Sequence, residues 1–120
     1  MKTTIGEATF TLHATDRDGR WVARAVRDDN GDPFGIECIG VTPEEATARL
    51  TGWLEWQREH ADALDALQQA ERAYHRTIAG SAFASSTEGP TAIEMQKESL
   101  DAVEAARVRL DEVRGRRPQP

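Results

Sequence analysis

The groups in this chain that could carry chemistry are three histidines, one cysteine and a large set of acidic side chains. Glu59 precedes His60 directly, and Glu71 precedes His75 by one helical turn. A Glu–His pair at that spacing can share a metal ion. A di-iron site, however, needs Glu-x-x-His on paired helices. Gln57 and Arg72 stand three residues before His60 and His75, so that motif is missing. Zinc asks for three or four converging ligands, and the sequence offers no such set. The pairs therefore read as ordinary neighbours on a helix surface. Cys38 could act as a nucleophile with His13 or His60 as base. A lone thiol on a strand beside Phe34 and Ile36 is more simply a core residue. Asp16-x-Asp18-Gly19 and Asp28-x-Asn30-Gly31 have the first letters of calcium loops but lack the later carboxylates and the bidentate glutamate. Asp-Gly and Asn-Gly are the expected pairs of hairpin turns. No Gly-rich phosphate loop and no Gly-x-Ser-x-Gly elbow occurs. These residues predict a protein that binds rather than catalyses, with no cofactor and no metal.

The elements that must position any binding surface are easier to read. From Gly40 to Ile78 the chain is organised as one long helix. Thr42 is a good N-cap, Pro43 fits the first helical position, and Glu45 completes a capping box. Leu50, Trp53, Gln57, His60, Leu64, Leu67, Glu71, Tyr74 and Ile78 recur in steps of three and four. Ala63, Ala66, Ala70 and Ala73 form a second, small-residue stripe, and Gly80 offers a left-handed stop. Such a helix is roughly 55 Å long, more than one small core can cover. Its first half is expected to cover a sheet through Leu50, Trp53, Leu54 and Trp56, and its second half to pair with another helix. At this spacing Trp53, Trp56 and Tyr74 read as core and not as a platform for stacking bases.

Upstream, residues 7–14 alternate Ala8, Phe10, Leu12 and Ala14 against polar neighbours, as a half-buried strand does. A turn at Asp16–Gly19, a strand over 20–27, a turn over 28–33 and a short strand over 34–39 complete a three-stranded antiparallel meander. Downstream, 80–90 reads as a loop. Thr91 and Glu94 form a second capping box, and a helix follows with Ile93, Gln96, Leu100, Val103, Ala106, Leu110 and Val113 on one side. Residues 60–78 and 91–114 are expected to form a helical hairpin. The predicted class is α+β in the order β-β-β-α-α, with a β-β-β-α module over 1–58 and a hairpin with a basic tail over 59–120.

Composition narrows the partners. The net charge is −6, and acidic groups outnumber basic ones in every third of the chain. That disfavours general binding to nucleic acid. The only basic cluster is Arg107, Arg109, Arg114, Arg116 and Arg117, at a helix end where cations suit the dipole. A single cysteine excludes an internal disulfide and favours a cytoplasmic setting. No apolar run reaches membrane-spanning length, so no membrane association is expected.

Strand, turn, strand, short strand and then Gly40-Val41-Thr42-Pro43-Glu44-Glu45-Ala46 leading into a helix resembles the HicB-like antitoxin module. The likeness covers residues 5–57. It implies a small β-β-β-α unit that binds and neutralises a small RNA-cleaving toxin. Many HicB-like proteins add a C-terminal DNA-binding segment; here a helical hairpin takes that place. The Pro-Asp-Leu-Pro-Gly stretch common before the helix in that family is absent. A second segment, Ala73-Tyr74-His75-Arg76-Thr77-Ile78-Ala79-Gly80 with the ending Arg114-Gly115-Arg116-Arg117-Pro118, is similar to the hairpin and tail of phage head–tail joining protein W.

The expected function is therefore a non-enzymatic protein-interaction module, HicB-like and homodimeric. A phage structural adaptor and a nucleic-acid-binding regulator are the alternatives. The expected contact residues are Val22, Arg24, Val26 and Ile39 on the sheet's open face, and Leu64, Leu67, Tyr74, Leu100, Val103 and Leu110 on the hairpin.

Overall fold

The computed structural model describes residues 1–81 and 92–119. Four strands precede two helices: β1 (Lys2–Ile5), β2 (Ala8–Arg17), β3 (Arg20–Arg27), β4 (Pro33–Gly40), α1 (Pro43–Ser81) and α2 (Ala92–Gly115). The strands form one antiparallel sheet in sequential order. The class is α+β, as the patterning predicts, but the sheet has four strands and not three. The additional strand, β1, pairs Thr3 with Phe10 and Ile5 with Ala8. It has only four residues, hence two inward positions, too few for alternation to register. The loop expected over 80–90 starts later than predicted, since Gly80 and Ser81 still belong to α1; its remainder and Thr91 of the second capping box lie outside the described residues.

Short connections set the register. Asp18 and Gly19 both have positive φ (56° and 84°), as a two-residue hairpin turn of type I′ demands, and Asp16 accepts the Gly19 amide at 3.2 Å. Between β3 and β4 the Arg27 carbonyl accepts the Gly31 amide at 2.8 Å, and Asn30 Oδ1 accepts the Asp32 amide at 3.0 Å. On β4 the ladder is interrupted. Ala23 faces Cys38 and Ala25 faces Phe34, so Gly35, Ile36 and Glu37 stand opposite Arg24 alone. This bulge keeps Phe34, Ile36 and Cys38 toward the core. Gly35 has φ 84°, and a Cβ there would lie 2.8 Å from Trp53 Cζ3; glycine lets the indole lie against the strand.

The chain divides into two units, Met1–Glu59 with Arg116–Pro120, and His60–Gly115. The break falls one residue after the boundary expected from sequence, and the tail belongs with the first unit. In that unit Phe10, Leu12, Ala23, Ala25 and Cys38 of the sheet bury against Ala46, Leu50, Trp53 and Leu54 of α1. Trp56 stays half-buried outside this cluster. The helix starts as its residues predict. Thr42 Oγ1 accepts the Glu45 amide at 3.1 Å, and the Thr42 carbonyl accepts the Ala46 amide at 3.1 Å. The Glu45 carboxylate turns instead to Arg49, 2.9 Å away, so only the Thr42 half of the expected capping box is seen. Gly40 explains the spacing of this segment. A Cβ at position 40 would stand 2.5 Å from the Ala46 amide nitrogen, so the end of β4 and the first turn of α1 meet backbone to backbone.

In the second unit, Thr77 Oγ1 lies 3.1 Å from Ser99 Oγ and Arg114 Nε donates to His60 Nε2 at 3.4 Å. These two bonds fix the antiparallel pairing of α1 and α2. Gly80 does not stop α1, which continues to Ser81, and it is not among the glycines with positive φ.

Two substitutions test this account. Gly40→Ala pushes a methyl group into backbone and is expected to cost about 1–3 kcal/mol, as overpacking does. Trp53→Ala empties the site against Gly35 and is expected to cost about 3–5 kcal/mol. Both are read from urea unfolding curves. A loss under about 0.5 kcal/mol, the range of surface sites, would reject the placement concerned.

Candidate interaction surfaces

Several of the chemistry-bearing side chains have partners within the chain. The Glu59 carboxylate accepts Arg116 Nη2 at 2.6 Å, and His60 accepts Arg114. The ring centroids of His75 and Tyr74 are 6.1 Å apart. In the two aspartate turns, Asp28 receives Thr11 Oγ1 at 2.6 Å and Lys2 Nζ at 3.6 Å, while Asp29 pairs with Arg27 at 3.0 Å. Among the described residues no three His, Cys, Asp or Glu side chains gather as a metal site would require. Cys38 is fully buried on the helix-covered face. His13 is on the other face, opposite Arg24 in the register, so the sheet itself separates that thiol from that base. Burial pushes the Cys38 thiol up, with the nearby Arg49 charge opposing it. A thiol held protonated is a poor nucleophile.

The sheet's second face is not covered by α1. Val22 is central to it, flanked in register by Thr15 and Ile39, and is only 4% exposed. Val26 is half-buried beside Thr11. Arg24 and Arg17 both reach Glu37, at 2.6 and 3.6 Å. What this face shows to solvent is therefore an ion-paired strip with Ile39 at its border, 44% exposed, and Val41 just beyond, 75% exposed. The border itself is guarded. Arg49 Nη1 donates to the Ile39 carbonyl at 2.8 Å while Glu45 holds the other end of the guanidinium. A strand adding along β4 would have to displace that bond and follow the bulge at Gly35, both recognised means of blocking edge pairing. The edge of β4 is thus guarded against strand addition, while Ile39 and Val41 beside it stay exposed.

The C-terminal arginines also have partners within their unit. Arg116 holds Glu59, and the Arg117 guanidinium lies 5.8 Å from the centre of the Trp56 ring. The basic cluster, read from sequence as a helix end matched to its dipole, is at Arg116 and Arg117 a clasp on α1. Its partners are far upstream in sequence, so composition could not have found them.

On the helical pair, the residues expected as one stripe separate into two sets. Ala63, Leu67, Val103, Leu110 and Val113 are buried, and Ala70, Tyr74, Thr77, Gln96, Ser99 and Ala106 are half-buried. On each helix these positions advance in steps of three and four, the spacing of a knobs-into-holes seam. Leu64 is half-buried to one side of it, Leu100 is 40% exposed and Ile93 78% exposed. Of the ten expected contact residues, Val22, Leu67, Val103 and Leu110 are thus buried within the chain. Arg24, Val26, Ile39, Leu64, Tyr74 and Leu100 keep exposed or partly exposed surface.

A surface depression is lined by Glu7, Ala8, Thr9, Arg27, Asp28, Asp29 and Arg58. Its two arginines are matched by three carboxylates, so it has no net preference for an anion. No helix of the described residues is long and apolar enough to cross a membrane.

The buried thiol gives a direct check. Its pKa is raised in the folded state, so the fold holds the proton more tightly than the unfolded chain does. The resulting stability is fully present below the ordinary thiol pKa, about 8.5, and is lost as pH rises through the folded value. The unfolding free energy of the wild type is expected to fall relative to Cys38→Ala as pH rises above the ordinary thiol pKa, about 8.5, with thiol labelling slow until denaturant is added. Equal slopes, or fast labelling of the folded protein, would count against the burial. No family model, curated protein or solved structure matches this chain.

Proposed function

We propose that this chain is a non-enzymatic protein-interaction module of the HicB-like antitoxin kind, acting as a homodimer and binding a small protein partner. The observation that carries the reading is the guarded border of the sheet. Exposed Ile39 and Val41 stand beside an ion-paired face, and they directly precede the helix start at Thr42 that the resemblance rests on. Isolated apolar groups on a polar face are common. Two neighbouring ones, at the end of β4 and just past it, next to an edge closed to strand addition, make a compact anchor for a partner's apolar side chain. Charge favours a basic partner. The chain is net acidic, and a small RNA-cleaving toxin must itself be cationic enough to hold RNA. The same charge disfavours a nucleic-acid-binding role, as does the holding of Arg116 and Arg117 by Glu59 and Trp56.

The test is binding to a small, basic RNA-cleaving toxin of the kind that HicB-like antitoxins neutralise, with RNA cleavage as the readout. The proposal expects a stable complex that blocks cleavage, and Ile39→Glu with Val41→Glu is expected to weaken it about tenfold or more. No binding, or binding indifferent to both substitutions, would overturn it. Co-purification with capsid or connector proteins would support the phage-adaptor alternative instead.

A further inference from the structure

Among its described residues the second unit buries few large apolar side chains, Leu67, Val103, Leu110 and Val113, while Ile78, Ile93, Met95, Leu100 and Val108 are each at least 40% exposed. Three of these, Ile78, Ile93 and Leu100, fall in two rows, while Met95 and Val108 lie on other faces of α2. Leu64, Glu71 and Ile78 follow each other every seven residues on α1, and Ile93, Leu100 and Arg107 do the same on α2. Each row lies immediately beside the seam of its helix. Because the helices are antiparallel, the two rows border the same side of the pair. His60 is level with Arg114 and Thr77 with Ser99, so Glu71 is level with Glu104, between Leu100 and Arg107. The resulting flank is apolar toward Ile78, Ile93 and Leu100 and carries Glu71 and Arg107 near its middle. Glu71 is half-buried, and neither it nor Arg107 makes an ion pair within the chain among the described residues.

We propose that this flank binds the same flank of a second copy, so that two helical pairs close into a four-helix bundle. The inference rests on the homodimer reading above and names its surface. The charge pattern selects the arrangement. With the two-fold axis along the helices, α1 of one copy lies over α2 of the other, and levels are preserved. Glu71 then meets Arg107 of the partner subunit twice over, and Ile78 meets the partner's Ile93 and Leu100. Lys97 and Glu104, one step further round α2, fall on the rim. With the axis across the helices, α1 lies over α1 and Glu71 faces its own copy, which like-charge repulsion disfavours. An isologous contact of this sort closes at two chains.

Sedimentation equilibrium on the full chain tests the proposal. The wild type is expected to be a dimer, and Leu100→Glu a monomer with unchanged helical circular dichroism, because Leu100 adds little to the chain's own seam. Ile93→Glu serves equally should Leu100→Glu lose helicity. Glu71→Arg alone is expected to weaken the dimer about tenfold, and Glu71→Arg with Arg107→Glu to recover most of that loss. A dimer that survives Leu100→Glu but is lost in Ile39→Glu would overturn the flank while leaving the homodimer reading intact. A double charge swap as weak as the single one would overturn the arrangement. A wild type that stays monomeric would overturn both the flank and the homodimer.

Discussion

The contact on which the rest of the molecule depends is the one between Gly40 and Ala46. A strand ends and a helix begins within a few residues, and the two backbones approach so closely that a methyl group on residue 40 would stand 2.5 Å from the Ala46 nitrogen. Protein interiors are packed too densely to absorb such an atom without a shift of one element. This approach sets the direction in which α1 leaves the sheet. From there Leu50, Trp53 and Leu54 fall on the sheet face, each buried to 6% exposure or less. Gly35 repeats the device further along β4, where the Trp53 ring takes the space a side chain would need. Two glycines on one strand thus seat one helix, and Cys38 between them is sealed in as a consequence.

A helix of 39 residues has to change partners along its length. In the first unit its inward residues are Ala46, Leu50, Trp53 and Leu54, the broad stripe of a helix lying on a sheet. In the second they are Ala63, Leu67, Ala70, Tyr74 and Thr77, a narrower seam against a single helix. A sheet is wide and accepts adjacent positions such as Trp53 and Leu54. A lone helix accepts only those at alternating steps of three and four. Small alanines at 63 and 70 bring the second helix near, but they bury little apolar area.

This distinction marks where the sequence was legible and where it was not. The β2 and β3 strands, the turn at Asp18-Gly19, the Thr42 cap and the burial of Leu50 and Trp53 all follow from local patterns of two or three residues. The β1 strand was not legible, because its two inward residues, Thr3 and Ile5, are too few to establish alternation. The guard on β4 was hidden for another reason: Arg49 and the Ile39 carbonyl are ten positions apart, and nothing in either residue announces the bond. The burial of Val22 on the uncovered face likewise depends on neighbours in the sheet, not on its own alternation. On the helices, Leu64 with Leu67 and Leu100 with Val103 looked like members of single stripes. Only the partner helix separates them, since a step of three keeps two side chains on nearly the same face.

The separation matters for what each half of the chain can do. Residues inside a seam hold a fold together but offer nothing to a second molecule; residues just beside it do the reverse. Both units follow the same pattern. On the sheet, Val22 is covered while Ile39 and Val41 remain at the border. On the helices, Leu67 and Val103 are covered while Leu100 and Ile93 remain. Apolar groups bordering a packed seam are already held in place by their neighbours, so a partner that covers them loses little side-chain freedom in return for the area removed from water. That asymmetry favours association on rigid borders over association on mobile surface. Under the function proposed above, it allows the two borders separate roles, one toward a second copy of the chain and one toward a different protein, without either contact having to disturb the core beneath it.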